Sequence, residues 1–377
     1  MIVKTPPMGW NTWNTFGEKI SEDMIKESAD AMVKNGLLDA GYNYLVIDDC
    51  WAKRQRNPET QRMEADPEKF PNGMKAVADY VHSKGLKFGM YSCAGVRTCA
   101  GYPGSYGHEF LDAETFADFD IDFLKYDYCF RPHKGLPGEM LYHRMGNALR
   151  ATDKDILFSA CNWGQDDVFS WIRATGAHMY RSTYDIVDNF KSFKDISTSQ
   201  IDKMCYNTPG CFNDMDMLTV GMFGKGNVGS DGCNARDYKL QFSVWCIMGS
   251  PLMLGCDIRS MDEETLKLIT NKELIRINQD PECRQAFRLS QSWDKDGVVL
   301  ARKLENGDFA IGIFNFNDYR AMLPVYFEDI GYPADCGLKF EVHNVLTGEK
   351  FTCVDDSMST WIDEHDAIVY RVTPVKK

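Results

Sequence analysis

Six aspartates in this chain sit where side chains can converge. Asp48 and Asp49 close the apolar run that starts at Tyr44, and Asp127 closes the run that starts at Asp122. Asp185 lies shortly after a run at Met179, and Asp214 and Asp216 follow a run at Phe212. One aspartate at the end of an apolar run is unremarkable, because turns favour Asp. Several from different runs, with Trp13, Trp51 and Trp163 nearby, predict a single pocket. Clustered carboxylates suit either a metal ion or glycosyl transfer. The seven histidines (82, 108, 133, 143, 178, 343, 365) form neither His-x-His nor His-Glu-x-x-His, which weakens zinc chemistry. A magnesium site built from carboxylates alone stays open on this ground. Glycoside cleavage needs two carboxyl groups and no cofactor. It accounts for the acids, the tryptophans and the absence of nucleotide motifs together, so neither cofactor nor metal is expected.

Lys125 and Asp127 share strand parity and therefore one face. An ammonium beside Asp127 would keep it ionised, as a nucleophile requires; a purely structural ion pair fits the spacing equally well. Arg181 and Asp185 lie four residues apart. An arginine there favours the charged form of Asp185, which opposes a general acid, while repulsion from an ionised Asp127 works the other way.

These residues need a scaffold that brings strand ends together. Apolar runs near Met8, Tyr44, Lys87, Asp122, Ile156, Met179, Phe212 and Leu252 alternate with helix-like stretches such as 21–35, 73–84, 138–152 and 231–248. That rhythm predicts βαβ units with a parallel sheet. Eight strands in about 250 residues is the size of a (β/α)8 TIM barrel, whose strand C-termini form the active site. An open doubly wound sheet is the rival, but no Gly-x-Gly-x-x-Gly follows a first strand and no Walker A sequence is present. After Asn278-Gln-Asp-Pro the texture changes to short β-rich runs and turn signals. The predicted division is a barrel over 1–283 and a small antiparallel β-sandwich over 284–377.

The net charge of −13 argues against nucleic acid or an anionic membrane as partner. No run approaches the roughly 20 apolar residues that span a bilayer. The first residues lack the apolar core of a signal peptide, which predicts a cytoplasmic setting. The 13 cysteines form no Cys-x-x-Cys, and with that setting they are expected mostly as reduced, buried thiols.

Met8-Gly-Trp-Asn-Thr-Trp, Asp48-Asp-Cys-Trp, Lys125-Tyr-Asp-Tyr-Cys, Asn213-Asp-Met-Asp-Met-Leu and the stretch from Ala65 to Gly73 resemble glycoside hydrolase family 27. The resemblance runs in order from about residue 6 to Pro281 and is positional only beyond it. It implies a (β/α)8 barrel with an antiparallel β-domain, and an exo-acting, retaining α-galactosidase. Asp127 would be the nucleophile and Asp185 the acid/base, their carboxyl groups about 5–5.5 Å apart. Sugar-binding positions carry over to Trp13, Asp48, Asp49, Tyr91, Cys99, Lys125, Asn162, Trp163, Arg181 and Asp216. Asp48 and Asp49 would hold the 4- and 6-hydroxyls, and Lys125 the 3- and 4-hydroxyls. Animal members have Glu in Cys-Glu-Trp, whereas this chain reads Cys161-Asn-Trp-Gly, as in microbial α-galactosidases. The same loop lacks the animal N-acetylgalactosaminidase pattern, so galactose is favoured over its 2-acetamido derivative. Cys99 and Cys129 match a pair that is bridged in secreted relatives, whereas Cys50 lacks its family partner. The implied partner is an α-galactoside oligosaccharide or glycan, and family members are commonly monomers or homo-dimers. The alternatives are an α-N-acetylgalactosaminidase, a β-L-arabinopyranosidase, or a carbohydrate-binding protein on a barrel that no longer catalyses.

Overall fold

A computed structural model describes residues 2–132, 136–289 and 296–377. The eight predicted runs are its eight parallel strands: β1 (Met8–Asn11), β2 (Tyr44–Val46), β3 (Lys87–Cys93), β4 (Phe123–Asp127), β5 (Leu157–Cys161), β6 (Met179–Arg181), β7 (Phe212–Asp214) and β8 (Leu252–Leu254). They pair in chain order from β1 to β7, and β8 pairs back onto β1. A parallel bridge between Leu218, just past β7, and Leu254 of β8 draws the last two strands together.

Alternation along the strands builds two cores. One set of side chains fills the inside: Tyr44, Val46, Phe123, Leu157, Met179, Phe212 and Met253, closed at the N-terminal end by Val3 and Cys283. The alternate set, including Trp10, Leu45, Phe88, Met90, Leu124, Tyr126, Phe158 and Tyr180, faces the surrounding helices. Strands buried on both faces read as continuous apolar runs, which is why they are visible in the sequence. At Gly89 of β3 there is no room for a side chain, since a Cβ would lie 2.8 Å from Val46 and 3.0 Å from Phe123.

The helices start where local chemistry says they should. Glu22–Lys34 is capped by Ser21, whose Oγ accepts from Met24 N at 3.3 Å. The expected 231–248 helix instead begins at Ala235. Asn234 and Asp237 form a reciprocal capping box there and fix the first turn four residues later.

The C-terminal part holds a six-stranded antiparallel sheet and a two-stranded one. Its large sheet runs in the order Lys350–Cys353, Leu338–Asn344, Asp366–Lys376, Phe309–Asn315, Gly297–Lys303, Phe287–Arg288. It packs on helix Ala235–Met248: Val298, Leu300, Ala310, Phe314 and Val369 belong to one cluster with Trp245 and Ile247. Ion pairs Arg236–Glu364 (2.8 Å) and Lys239–Asp366 (2.6 Å) border that contact. Among the described residues, no helix is long and apolar enough to cross a membrane.

Candidate active site

Two residues above the apolar layer inside the barrel, the same strand faces turn polar. Counting up by two takes Val46 to Asp48, Gly89 to Tyr91, Phe123 to Lys125, Met179 to Arg181 and Phe212 to Asp214. Two more residues reach Asp127 on β4 and Asp216 beyond β7. Strand alternation therefore delivers the charged groups to the C-terminal mouth, as barrels of this type require. There Trp13, Asp48, Asp49, Tyr91, Cys99, Lys125, Asp127, Arg181, Asp185 and Asp216 line a single cleft.

On one wall, Lys125 Nζ donates to Asp48 Oδ2 at 2.8 Å, and Asn11 Nδ2 donates to the same oxygen at 2.8 Å. Asp49 accepts from the backbone N–H of Cys50 (2.7 Å) and of Ala100 (3.0 Å). Burial nevertheless pushes Asp49 above the usual carboxylate range. Asp127 accepts from Tyr128 N at 2.9 Å and from the Tyr91 hydroxyl at 3.1 Å. The sequence expectation placed Lys125 against Asp127, but the ammonium is ion-paired with Asp48 and acts on Asp127 only from beyond it. The outcome is the reverse of a lowered value. Burial raises Asp127 to about 6, outweighing the opposing pull of Lys125 and of the Tyr128 N–H. At neutral pH the group is still mostly ionised.

On the opposite wall, one guanidinium serves two carboxylates. Arg181 lies 2.7 Å from Asp216 Oδ1 and 2.6 Å from Asp185 Oδ1, and donates twice to Thr183 O at 3.2 Å. Burial works against its charge, but Asp216 and Asp185 more than offset this and hold Arg181 above its ordinary value. Asp216 is buried and is pushed up to about 7, chiefly by loss of solvent. Its backbone is held at φ 101°, a left-handed conformation a non-glycine residue adopts only where its surroundings enforce it. Its N–H donates to Asp214 Oδ1 and its carbonyl accepts from Trp245 Nε1 (both 2.9 Å), which hold the backbone. Ile186 N and Met217 N donate to its two carboxylate oxygens (2.7 and 2.6 Å). Asp185 differs from every other acid lining the cleft: its side chain is 76% exposed, so it is open to solvent.

Two carried-over positions fall outside this lining. Asn162 is fully buried and spends its amide on its own turn, donating to Gln165 O at 2.8 Å and accepting from Gly164 N at 3.3 Å. Trp163 packs edge-on to Tyr128 with ring centroids 6.4 Å apart. Trp51, expected to flank the pocket, is a core residue whose Nε1 donates to Tyr91 O at 2.9 Å. Asn14, Ile186, Met217 and Val228 also line the cleft and were not anticipated. Asn11 was missed too, although its parity with Gly9 inside β1 was a usable signal. Cys99 and Cys129 are joined by a disulfide with Cα atoms 5.3 Å apart, tying the loop after β3 to the end of β4. Cys99 Sγ lies 3.8 Å from Asp127 Oδ2 and, being bonded, has no proton to donate to it.

Residues 5–280 match the family model described as alpha galactosidase A, and residues 294–372 match the alpha galactosidase C-terminal beta sandwich domain. An alpha-galactosidase of Cyamopsis tetragonoloba is 40% identical over 374 residues, covering 99% of this chain and 87% of that protein. The structure of alpha-galactosidase I from Mortierella vinacea superposes with a TM-score of 0.91 at 32% identity, covering 98% of this chain and 97% of that one. An α-galactosidase of Saccharomyces cerevisiae solved with raffinose gives a TM-score of 0.89 at 27% identity, over 99% and 98% of the two chains. With both domains matched and the likeness extending along nearly its whole length, the chain belongs to glycoside hydrolase family 27, the melibiase family of α-galactosidases.

Proposed function

We propose that this protein is an exo-acting, retaining α-galactosidase in which Asp127 is the nucleophile and Asp185 the general acid/base. The observation that carries the reading is the sharing of one cleft by a buried carboxylate, Asp127, and an exposed one, Asp185. In the first step Asp127 attacks the anomeric carbon as the bond to the leaving oxygen breaks, and the Asp185 proton passes to that oxygen. In the second, Asp185 takes a proton from water as the water oxygen displaces Asp127 from the galactosyl ester. Galactose leaves with its original anomeric configuration, and Asp185 is again protonated.

The walls favour a sugar rich in hydroxyls. Lys125 is fixed on Asp48, Arg181 on Asp216, and Asp49 on two backbone N–H groups, so they pay little further ordering cost on binding. An epimer that turns a hydroxyl away leaves one of them buried with an unmet hydrogen bond, which discriminates against it. The axial 4-hydroxyl and the 6-hydroxyl are assigned to Asp48 and Asp49, and the 3- and 4-hydroxyls to Lys125.

Proton NMR of the hydrolysis of an aryl α-galactoside tests the mechanism: α-galactose must appear first, and β-galactose first would overturn it. Parallel rates on aryl α-N-acetylgalactosaminide and β-L-arabinopyranoside separate the sugar alternatives. Galactose is expected to be the fastest of the three.

A further inference from the structure

A general acid works only when its carboxyl group is held within hydrogen-bond reach of the leaving oxygen. Asp185 is open to solvent, and its side chain is steadied by Arg181. Its place in the cleft therefore depends on the backbone of the loop between β6 and helix Phe190–Gln200. Three residues further along that loop stands a carboxylate that double displacement does not use. Asp188 is fully buried, where an ionised group is costly unless hydrogen bonds surround it.

They do surround it. Gly224 N donates to Asp188 Oδ2 at 2.6 Å, and the Tyr238 hydroxyl lies 3.0 and 2.9 Å from Oδ1 and Oδ2. Burial lifts Asp188 above the usual carboxylate range, against the pull of these donors and of Thr219 and Cys233. The backbone is tied as well. Asp188 N donates to Val228 O at 3.0 Å, its carbonyl accepts from Gly232 N at 2.9 Å, and it forms a parallel bridge with Gly229. Asp188 thus joins its own loop to two other elements, the 223–232 segment beyond β7 and helix Ala235–Met248. That helix is part of the scaffold, fixed by its capping box and packed against the β-domain through Trp245 and Ile247.

The 223–232 segment reaches the cleft too. Val228 lines it and its N–H donates to Asn14 O at 3.0 Å, while Asn227 N donates to Thr15 O at 3.1 Å. Asn227 Nδ2 donates to Trp13 O at 3.3 Å. On the near side of Asp185, the Thr183 hydroxyl donates to Met215 O at 3.0 Å. On the far side, Ile186 N is held on Asp216 at 2.7 Å, but Asp216 is itself a cleft residue that shares Arg181 with Asp185. Asp188 is the point at which this span is fastened to something outside the cleft. A displacement of about 1 Å at a reacting group can cost about 100-fold in rate.

We propose that Asp188 is a positioning residue for the acid/base: its buried carboxylate pins the Asp185 loop to helix Ala235–Met248 and the 223–232 segment, and so sets where Asp185 meets the leaving oxygen. The proposal rests on the reading of Asp185 as the acid/base.

The test compares two small substrates on the full-length enzyme. Methyl α-galactoside has a leaving oxygen that must be protonated, whereas the fluoride of α-galactosyl fluoride departs with little help. The ratio of kcat/KM on the first to kcat/KM on the second reports proton donation. A partly unfolded preparation leaves that ratio unchanged, because both rates fall together. Asp188→Asn should lower the ratio at least about tenfold. Tyr238→Phe, which keeps the ring and removes the hydroxyl, should lower it about two- to threefold. Asp185→Asn sets the scale, with a fall of about 100-fold or more. An unchanged ratio in Asp188→Asn overturns the proposal alone; where that variant does not fold, an unchanged ratio in Tyr238→Phe does so. An unchanged ratio in Asp185→Asn removes the acid/base reading, and this proposal with it.

Discussion

Asp127 is stabilised in its charged form by Lys125 and the Tyr128 N–H, yet burial lifts it to about 6. Two expectations follow. In the free enzyme, kcat/KM on an aryl α-galactoside should fall about tenfold per pH unit below about pH 6, as Asp127, the proposed nucleophile, takes up a proton. The second concerns stability. Between the unfolded carboxylate value of about 3.9 and about 6, the folded state keeps a proton that the unfolded chain has lost. Stability therefore drops as pH rises through that window, and the cost is complete above it. The shift is worth about 3 kcal/mol at pH 7. Asp127→Asn should abolish turnover yet resist urea better than the parent by about 1–3 kcal/mol at pH 7. The gap should close towards pH 4. A variant that keeps near-normal turnover would remove Asp127 from the mechanism.

The loops after β3 and β4 carry one wall of the cleft and depend on close approach. A Cβ at Gly95 would lie 1.8 Å from Cys129 O and 2.6 Å from the Phe130 carbonyl carbon. Gly95→Ala should cost about 1–3 kcal/mol in urea unfolding and reduce kcat, because the β4 loop must move to admit the methyl group. A silent substitution there would show the loop to be more plastic than its packing suggests. The Cys99–Cys129 bond closes 30 residues between the same two loops. Replacing both cysteines by serine should cost about 2–4 kcal/mol, read from the denaturation midpoint. The barrel itself should survive, since its interior layer contains neither cysteine.

For the whole molecule, the two domains share apolar surface instead of merely touching. Val298, Leu300, Phe314 and Val369 of the β-domain complete the cluster around Trp245 and Ile247. The fit is close enough that a Cβ at Gly312 would sit 2.9 Å from Ile247. A chain ending at residue 289 should expose that face and aggregate, while the full chain should unfold in one calorimetric transition. Two well-separated transitions would mean that the shared cluster does not couple the domains.

The eight strands, the β-rich tail and the strand-end acids are legible in the sequence. Each is written in local periodicity: parallel strands buried on both faces read as apolar runs, and side-chain parity puts Lys125 and Asp127 on one face. Lys350–Cys353 is exposed over three of its four residues and Ser357–Ile362 fully buries only Ile362, so neither reads as an apolar run. Which charges meet depends on the fold around the barrel mouth. It paired Lys125 with Asp48 across strands, divided Arg181 between Asp216 and Asp185, and turned Asn162 into its own loop. It also set the sign of the shift at Asp127, because burial depends on every strand around the mouth and no stretch of sequence encodes it.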